Sequence, residues 1–166
     1  MSSRGFSLVE LVVVLAIIGI VASIATLDFS SMQRKGQIEK QTREIYSDLI
    51  SLRIDAMQKK QRSAAFFGPN VIQFKSYSSN AENVITGGTL ISTKNISYEI
   101  RRLSAFATPL DAAADRVEYD TRGYINNDFT IVVLPVTYNS MENCILVTTA
   151  RTNIGRMVDA ATCTAH

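Results

Sequence analysis

The stretch FSLVELVVVLAIIGIVASIATL, residues 6–27, dominates this chain. Glu10 is its one charged residue, and every residue from 11 to 22 is apolar or glycine. As a helix, the stretch measures about 33 Å, which matches a bilayer core of about 30 Å. A carboxylate at mid-depth in a bilayer costs roughly 2.5–3.5 kcal/mol, so Glu10 is expected to have a function. The sequence therefore predicts a membrane helix whose acid has a partner.

Three simpler interpretations compete for residues 6–27. A secretory signal peptide would suit the small residues around Ser23 and Ala25, but a carboxylate fits poorly in its apolar region. A plain signal anchor would have no use for Glu10. A buried core helix rarely contains so long an apolar run. None of the three explains the acid.

The residues before this run narrow the choice. Residues 1–5 form a short leader with one cation, Arg4, and end in Gly5, followed by Phe6 and, four residues on, Glu10. This pattern resembles the type IV prepilin signature. The resemblance implies that a prepilin peptidase cuts between Gly5 and Phe6 and methylates the Phe6 amine. It also implies that Glu10 neutralises the Phe6 ammonium of a neighbouring subunit in an apolar bundle of pilin helices. Arg4 would remain on the cytoplasmic side of the inner membrane.

Composition limits the rest of the chain. Of 166 residues, roughly 140 remain for one soluble domain. Seventeen Lys and Arg against fifteen Asp and Glu give a net charge of +2, which does not indicate a polycation for nucleic acid or anionic lipid. Cys144 and Cys163 lie beyond the membrane segment, where disulfides persist, and a bridge would stabilise by roughly 3 kcal/mol. Two unpaired thiols are the alternative, and a zinc site lacks nearby histidines.

The helix is expected to continue through residues 28–62. Spacings of three and four join the positions of one helical face, while charged residues fill the others. That face consists of Ile38, Thr42, Ile45, Leu49, Leu52 and Ala56. No proline precedes Pro69, and Gly36 is the weakest helical position. The second half is therefore predicted to be amphipathic and to pack one stripe on a head.

Residues 63–166 read as a β-rich head. A hairpin is predicted from residues 64–67 and 71–77 around the Gly68-Pro69-Asn70 turn. Further strands are predicted at residues 89–92, 96–103, 116–119, 124–134 and 144–149, the last being the final strand. The fold class is α+β: a long N-terminal helix packed on an antiparallel β-sheet head of about six or seven strands.

Short motifs in the head are similar to the GspH/FimT-type minor pseudopilins. They are residues 48–56 at the end of the helix, the Thr121-Arg122-Gly123 turn, and Gly155-Arg156 with a cysteine on either side. The resemblance implies a structural subunit of a type II secretion pseudopilus or a type IV pilus. Such a subunit is a single-pass inner-membrane protein with its head in the periplasm. At Leu27 the chain departs from major pilins, which usually carry a proline there.

No catalytic set is apparent, so the chain is not expected to be an enzyme and no cofactor or metal is expected. His166 is the one histidine and is terminal. Five acids at positions 111–128 do not have the spacing of an EF-hand loop. Four arginines, Arg101, Arg102, Arg151 and Arg156, raise an alternative function, since some FimT-type proteins are implicated in DNA uptake. A phosphate-binding arginine cluster would favour a DNA-binding minor pilin, whereas dispersed arginines would favour a solvated surface.

Overall fold

The computed structural model describes residues 7–136 and 142–165, and only the backbone of residues 24–28. The predicted leader, Phe6 and His166 therefore lie outside the described residues. The chain divides into two compact units, one ending at Gly36 and one beginning at Gln37. A single helix, α1 (Leu8–Lys59), supplies most of the first unit and the start of the second. The predicted helix was thus three residues too long at its C-terminal end.

The described strands are all antiparallel and form two sheets. The first sheet has the order β3-β2-β1-β5, and the second has the order β4-β6-β7-β8-β9. The strands are β1 (Arg62–Phe67), β2 (Val71–Tyr77), β3 (Thr89–Asn95), β4 (Ile100–Arg102), β5 (Arg116–Tyr119), β6 (Phe129–Val133), β7 (Cys144–Val147), β8 (Thr152–Met157) and β9 (Cys163–Ala165). A short 3-10 turn, Leu103–Ala105, follows β4. The predicted α+β fold class is confirmed, with more strands than expected.

The second half of α1 buries the face that its periodicity predicts. All six positions from Ile38 to Ala56 are buried, five of them hydrophobic. The polar one, Thr42, satisfies its hydroxyl by donating to the Ile38 carbonyl oxygen at 2.8 Å. These side chains form one cluster with inward-facing residues of both sheets, including Phe67 of β1 and Ile131 of β6. The helix stripe and the two sheets therefore share one core.

Two strands were predicted to be too long, and two others were not predicted. Residues 96–103 were expected to be one strand, but only Ile100–Arg102 pairs with a neighbour. Residues 124–134 contribute only Phe129–Val133. The strand at residues 144–149 was expected to be the last, yet β8 and β9 follow it. β8 contains an asparagine and a glycine, and β9 has three residues, so neither carries a strong local strand signal.

Gln41 explains why residues 96–99 leave the sheet. Its Oε1 accepts hydrogen bonds from the Ser97 and Tyr98 backbone N–H groups at 3.0 and 2.9 Å. Its Nε2 donates to the Tyr98 carbonyl oxygen at 2.7 Å. One side chain of α1 thus supplies three bonds that a neighbouring strand would otherwise supply. Gln41 is itself buried, which makes these bonds costly to lose.

We expect Gln41→Ala to lower the free energy of unfolding of the head by about 2–4 kcal/mol, because buried amide groups would lose their partners. The matched control is Gln37→Ala, one helical turn earlier. Gln37 accepts a single exposed hydrogen bond, from the Tyr98 hydroxyl, so we expect a change of less than about 0.5 kcal/mol. Urea unfolding of the detergent-solubilised chain, followed by near-ultraviolet circular dichroism, measures both. Equal effects of the two variants would contradict this role of Gln41.

Candidate functional site

The first part of α1 presents apolar side chains to its surroundings on every side. Between Leu8 and Val21 the large hydrophobic residues are 48–79% exposed, and Phe29 is 63% exposed. A helix that is apolar all round is stable only where lipid or other protein covers it. Within residues 7–136 and 142–165, no helix is both long and apolar enough to qualify as a membrane span. We call this exposed segment, residues 8–21, the apolar segment.

Glu10 lies in the first turn of α1, and its side chain is exposed. A carboxylate there interacts favourably with the free N–H groups of the helix N-terminus, typically by 0.3–1 kcal/mol. That contribution is smaller than the cost of carrying an acid into an apolar bundle, so the helix end alone does not account for it. A nearby cation would lower the cost of burying Glu10.

Ser23, just beyond the apolar segment, forms a hydrogen bond with the backbone of its own helix. Its hydroxyl donates to the Gly19 carbonyl oxygen, four residues earlier, at 2.7 Å. A serine that bonds its own helix presents little unsatisfied polarity to an apolar environment. Glu10 differs because its carboxylate is charged, and a hydrogen bond to its own helix does not supply a counter-charge. The two residues therefore differ in whether they need a neighbouring molecule.

Arg101 and Arg102 occupy adjacent positions of β4 and point to opposite faces of the second sheet. Arg101 is opposite Val132, which lies on the outer face, whereas Arg102 is opposite Ile131 in the main core. Arg101 Nε donates to Glu99 at 2.6 Å. The Arg102 guanidinium stacks 4.9 Å from the Phe129 ring centroid and lies 3.5 Å from an Asp115 oxygen. Both cations are thus engaged within the head.

Arg151 and Arg156 lie elsewhere in the same sheet. Arg156 is on β8, which β6 and β7 separate from β4, so the two strands are about 14 Å apart. Register places Arg156 on the face opposite Arg101, because its neighbour Gly155 aligns with Cys144 and hence with Val132. Arg151 precedes β8 and is exposed. The structure does not bring the four arginines together, and DNA binding remains a prediction without structural support.

The acids at positions 111–128 are engaged within the head, some by the backbone of their own turns and others by more distant groups. Asp120 Oδ1 accepts from the Arg122 and Tyr124 N–H groups, both at 2.8 Å. Burial would raise the pKa of Asp120, but these hydrogen bonds and the Arg122 charge hold it below its usual value. Asp128 similarly accepts from the Thr149 N–H at 3.1 Å. In the part of the chain that the structure describes, no cluster of three or more potential ligands suits a metal ion.

Cys144 and Cys163 form a disulfide that joins β7 to β9 across β8. The S–S distance is 1.98 Å and the Cα atoms are 6.3 Å apart. Gly155 of β8 lies between the bridged strands, and a Cβ there would fall 2.4 Å from the Thr164 carbonyl oxygen and 3.1 Å from Cys163 Sγ. Only glycine leaves room for β9 and the bridge. The sequence analysis identified Gly155 as part of a motif between the two cysteines, but it did not predict this steric role.

Comparison with known proteins relates both parts of the chain to pilins. Residues 1–26 match the family model "Prokaryotic N-terminal methylation motif". The fold is similar to the type IV minor pilin FimU of Pseudomonas aeruginosa PAO1, with a TM-score of 0.55 and 7% identity over 80% of this chain and 96% of that one. For a second crystal form of FimU the TM-score is 0.52, with 7% identity over 75% of this chain and 95% of that one.

The fold is also similar to the minor pseudopilin EpsH of the Vibrio cholerae type 2 secretion system. The TM-score is 0.54, with 11% identity over 72% of this chain and 97% of that one. No curated protein sequence matches the chain. At such low identity these likenesses show the fold. The predicted resemblance to the pilin-like GspH/FimT-type proteins is thereby confirmed in the N-terminal motif and in the fold.

We expect Gly155→Ala to impair formation of the Cys144–Cys163 disulfide and to lower the free energy of unfolding by about 1–3 kcal/mol, because the added methyl group meets backbone atoms of β9. Gly36→Ala is the matched control: open space surrounds a Cβ there, and alanine favours helix by up to about 1 kcal/mol. Mass-tagging of free thiols and chemical unfolding measure the two effects. Complete oxidation with unchanged stability in Gly155→Ala would contradict the steric role.

Proposed function

We propose that this chain is a minor pilin or pseudopilin, a structural subunit that co-assembles with similar subunits into a type II secretion pseudopilus or a type IV pilus. The observation that carries the proposal is the exposed apolar segment with its single carboxylate, directly after an N-terminal methylation motif. The FimU-like and EpsH-like fold of the chain supports it. Those proteins are structural subunits, which agrees with a role other than catalysis.

The proposed subunit has four parts, the first two with the boundaries predicted from the sequence. Residues 1–5 are a leader that prepilin peptidase removes, and residues 6–27 anchor the chain in the inner membrane and later line the filament. The helix continues from residue 28 to Lys59, and the β-rich part of the head follows from Arg62. Arg4 on the cytoplasmic side places the head in the periplasm, a compartment in which the Cys144–Cys163 disulfide is stable.

Processing and assembly are chemically linked in this proposal. Hydrolysis of the Gly5–Phe6 peptide bond frees an amine at Phe6. That amine is basic with or without its methyl group, so in either form it carries a positive charge when protonated. The ammonium of one subunit is the cation that Glu10 of its neighbour lacks. Each charge is costly in an apolar bundle, whereas the pair is much less so. The apolar segments supply the buried area, and the pair selects the axial register.

We expect Glu10→Gln to leave membrane insertion unchanged and to reduce incorporation into filaments by at least tenfold. Removing one partner of a buried pair costs about 3–5 kcal/mol, and every 1.4 kcal/mol is a factor of ten. Glu39→Gln, which neutralises a partly exposed acid of the same helix, is the control and should assemble normally. The ratio of subunit in sheared filaments to subunit in membranes measures incorporation. An unchanged ratio for Glu10→Gln would refute the pairing.

We also expect mass spectrometry of the purified protein to find a mature N-terminus at methylated Phe6. Gly5→Leu should block the cut and leave the chain starting at Met1, while Ser3→Leu, two residues further from the scissile bond, should be processed. Mature wild-type protein that begins at Met1 or at Thr26 would exclude the proposed pathway. The first result would indicate a plain anchor, and the second a secretory signal peptide.

A further inference from the structure

The two sheets of the head end in four edge strands of unequal length. β4 and β9 each have three residues and β5 has four, whereas β3 has seven. A free edge offers unpaired N–H and C=O groups to other chains, and short edge strands are one way in which proteins limit such pairing. Three edges of this head are limited in that way. β3 is not.

Of the other usual protections of an edge, β3 has two in part: its register with β2 shifts once, between Phe74 and Lys75, and it contains one lysine. Six of its seven residues are exposed, including Leu90 (52%) and Ile91 (47%), and it contains no proline. Its one charged residue is Lys94, whose Nζ turns toward α1 and lies 2.7 Å from Asp48 and 3.3 Å from Glu44. Within the described residues, no strand pairs with the outer side of β3. This long, partly apolar edge is therefore open to a partner.

A groove of about 280 Å³ runs between β3 and the helix beside it. Leu52 and Phe74, which are nearly buried, contribute apolar surface to it. Ile91 and Ser92 line the strand side, and residues of α1 line the other side. Because alternate residues of a strand share one face, a strand added beside β3 would direct every second side chain toward this groove.

The α1 side of the groove is acidic. Glu44, Asp48, Ser51 and Asp55 follow one another at spacings of four, three and four, so they lie on one stripe of the helix. Lys94 is shared between two of these carboxylates. Burial alone would lower the pKa of Lys94, yet the hydrogen bonds and charges of Asp48 and Glu44 raise it above its usual value. Lys94 carries one positive charge against the three carboxylates of this stripe, of which Asp48 and Asp55 line the groove.

Two lysines of α1 also lie near carboxylates of this stripe, but their ion pairs are weak. Lys59 lies 3.1 Å from Asp55, and Lys40 lies 4.0 Å from Glu44. Both lysine side chains are largely exposed, at 59% and 77%, and exposed pairs of this kind are worth less than about 1 kcal/mol. A basic side chain from a partner can therefore approach the stripe.

We propose that the free edge of β3 binds an extended segment of a partner protein as a fifth strand of the first sheet, with Lys or Arg at alternate positions of that segment facing the acidic stripe of α1. The backbone bonds to β3 give affinity, and the charges select the segment. This site uses none of the residues assigned to filament assembly, so either proposal can fail without the other.

The probe is a fluorescein-labelled heptapeptide with alternating lysine and valine, titrated with the full chain in non-ionic detergent and followed by fluorescence anisotropy. Its two controls are the same peptide with glutamate for lysine and a version with methylated backbone nitrogens. We expect saturable binding of the lysine peptide and at least tenfold weaker binding of both controls. We also expect the lysine peptide to slow amide hydrogen exchange in residues 89–95.

The decisive variant is Ser92→Lys, which places a cation on the strand side of the groove without removing an existing contact of the stripe. Thr164→Lys is the matched control, since it adds the same charge to β9, the edge of the other sheet. We expect Ser92→Lys to weaken binding at least tenfold and Thr164→Lys to change it less than twofold. Thermal unfolding confirms that both variants fold.

Four results would overturn the proposal. They are the absence of saturable binding, equal binding of the glutamate peptide, equal weakening by the two lysine variants, and exchange protection outside residues 89–95. Sedimentation of the chain alone tests whether a second copy of this chain occupies the β3 edge. Self-association that Ser92→Lys abolishes would assign the edge to a second copy of this chain and would likewise overturn the proposal.

Discussion

Burial of one stripe of α1 is the interaction on which the head depends. Ile38, Ile45, Leu49 and Ala56 are completely buried and contact inward-facing residues of both sheets. Each sheet has an apolar inner face that would otherwise contact water, and at roughly 25 cal/mol per Å² the area involved is the main favourable contribution to folding. Gln41, on the same helix, then holds the chain between the sheets through three hydrogen bonds. The helix is thus the structural centre of the head.

The N-terminal part of the same helix has a different requirement. Its large side chains between Leu8 and Val21 have no partner within the described residues. The stripe of residues 38–56 has a period that matches one helical face, whereas the apolar segment is hydrophobic on all faces. The first pattern is satisfied within one chain, and the second is satisfied only by lipid or several neighbouring chains. A single secondary-structure element therefore combines a part that folds with the head and a part that needs apolar surroundings, and Glu10 lies in the second part.

The features that the sequence could predict are those that depend on residues close together in the chain. The stripe, the hairpin of β1 and β2, and Arg116–Tyr119 were predicted because periodicity and turn residues are local signals. Residues 96–99 were predicted wrongly because the partner that removes them from the sheet, Gln41, is more than fifty residues away. β9 has three residues and is held by a disulfide, so no local pattern indicates it. Glu10 was identifiable because an acid in an apolar run is conspicuous without a structure, whereas the dispersion of the arginines depends on register.

The free edge of β3 belongs to the features that only topology reveals, since no residue of that strand is unusual by type. Its importance follows from comparison with the other edges: β4, β5 and β9 are too short to pair with much of another strand. If this head simply tolerated long exposed edge strands, the length of an edge strand would be unrelated to the charge of the residues beside it. Instead, the one long edge adjoins the stripe of carboxylates at positions 44, 48 and 55. In the two proposals, burial governs contacts along the apolar segment and charge governs contacts at the β3 edge, so that the two kinds of contact can be selected independently.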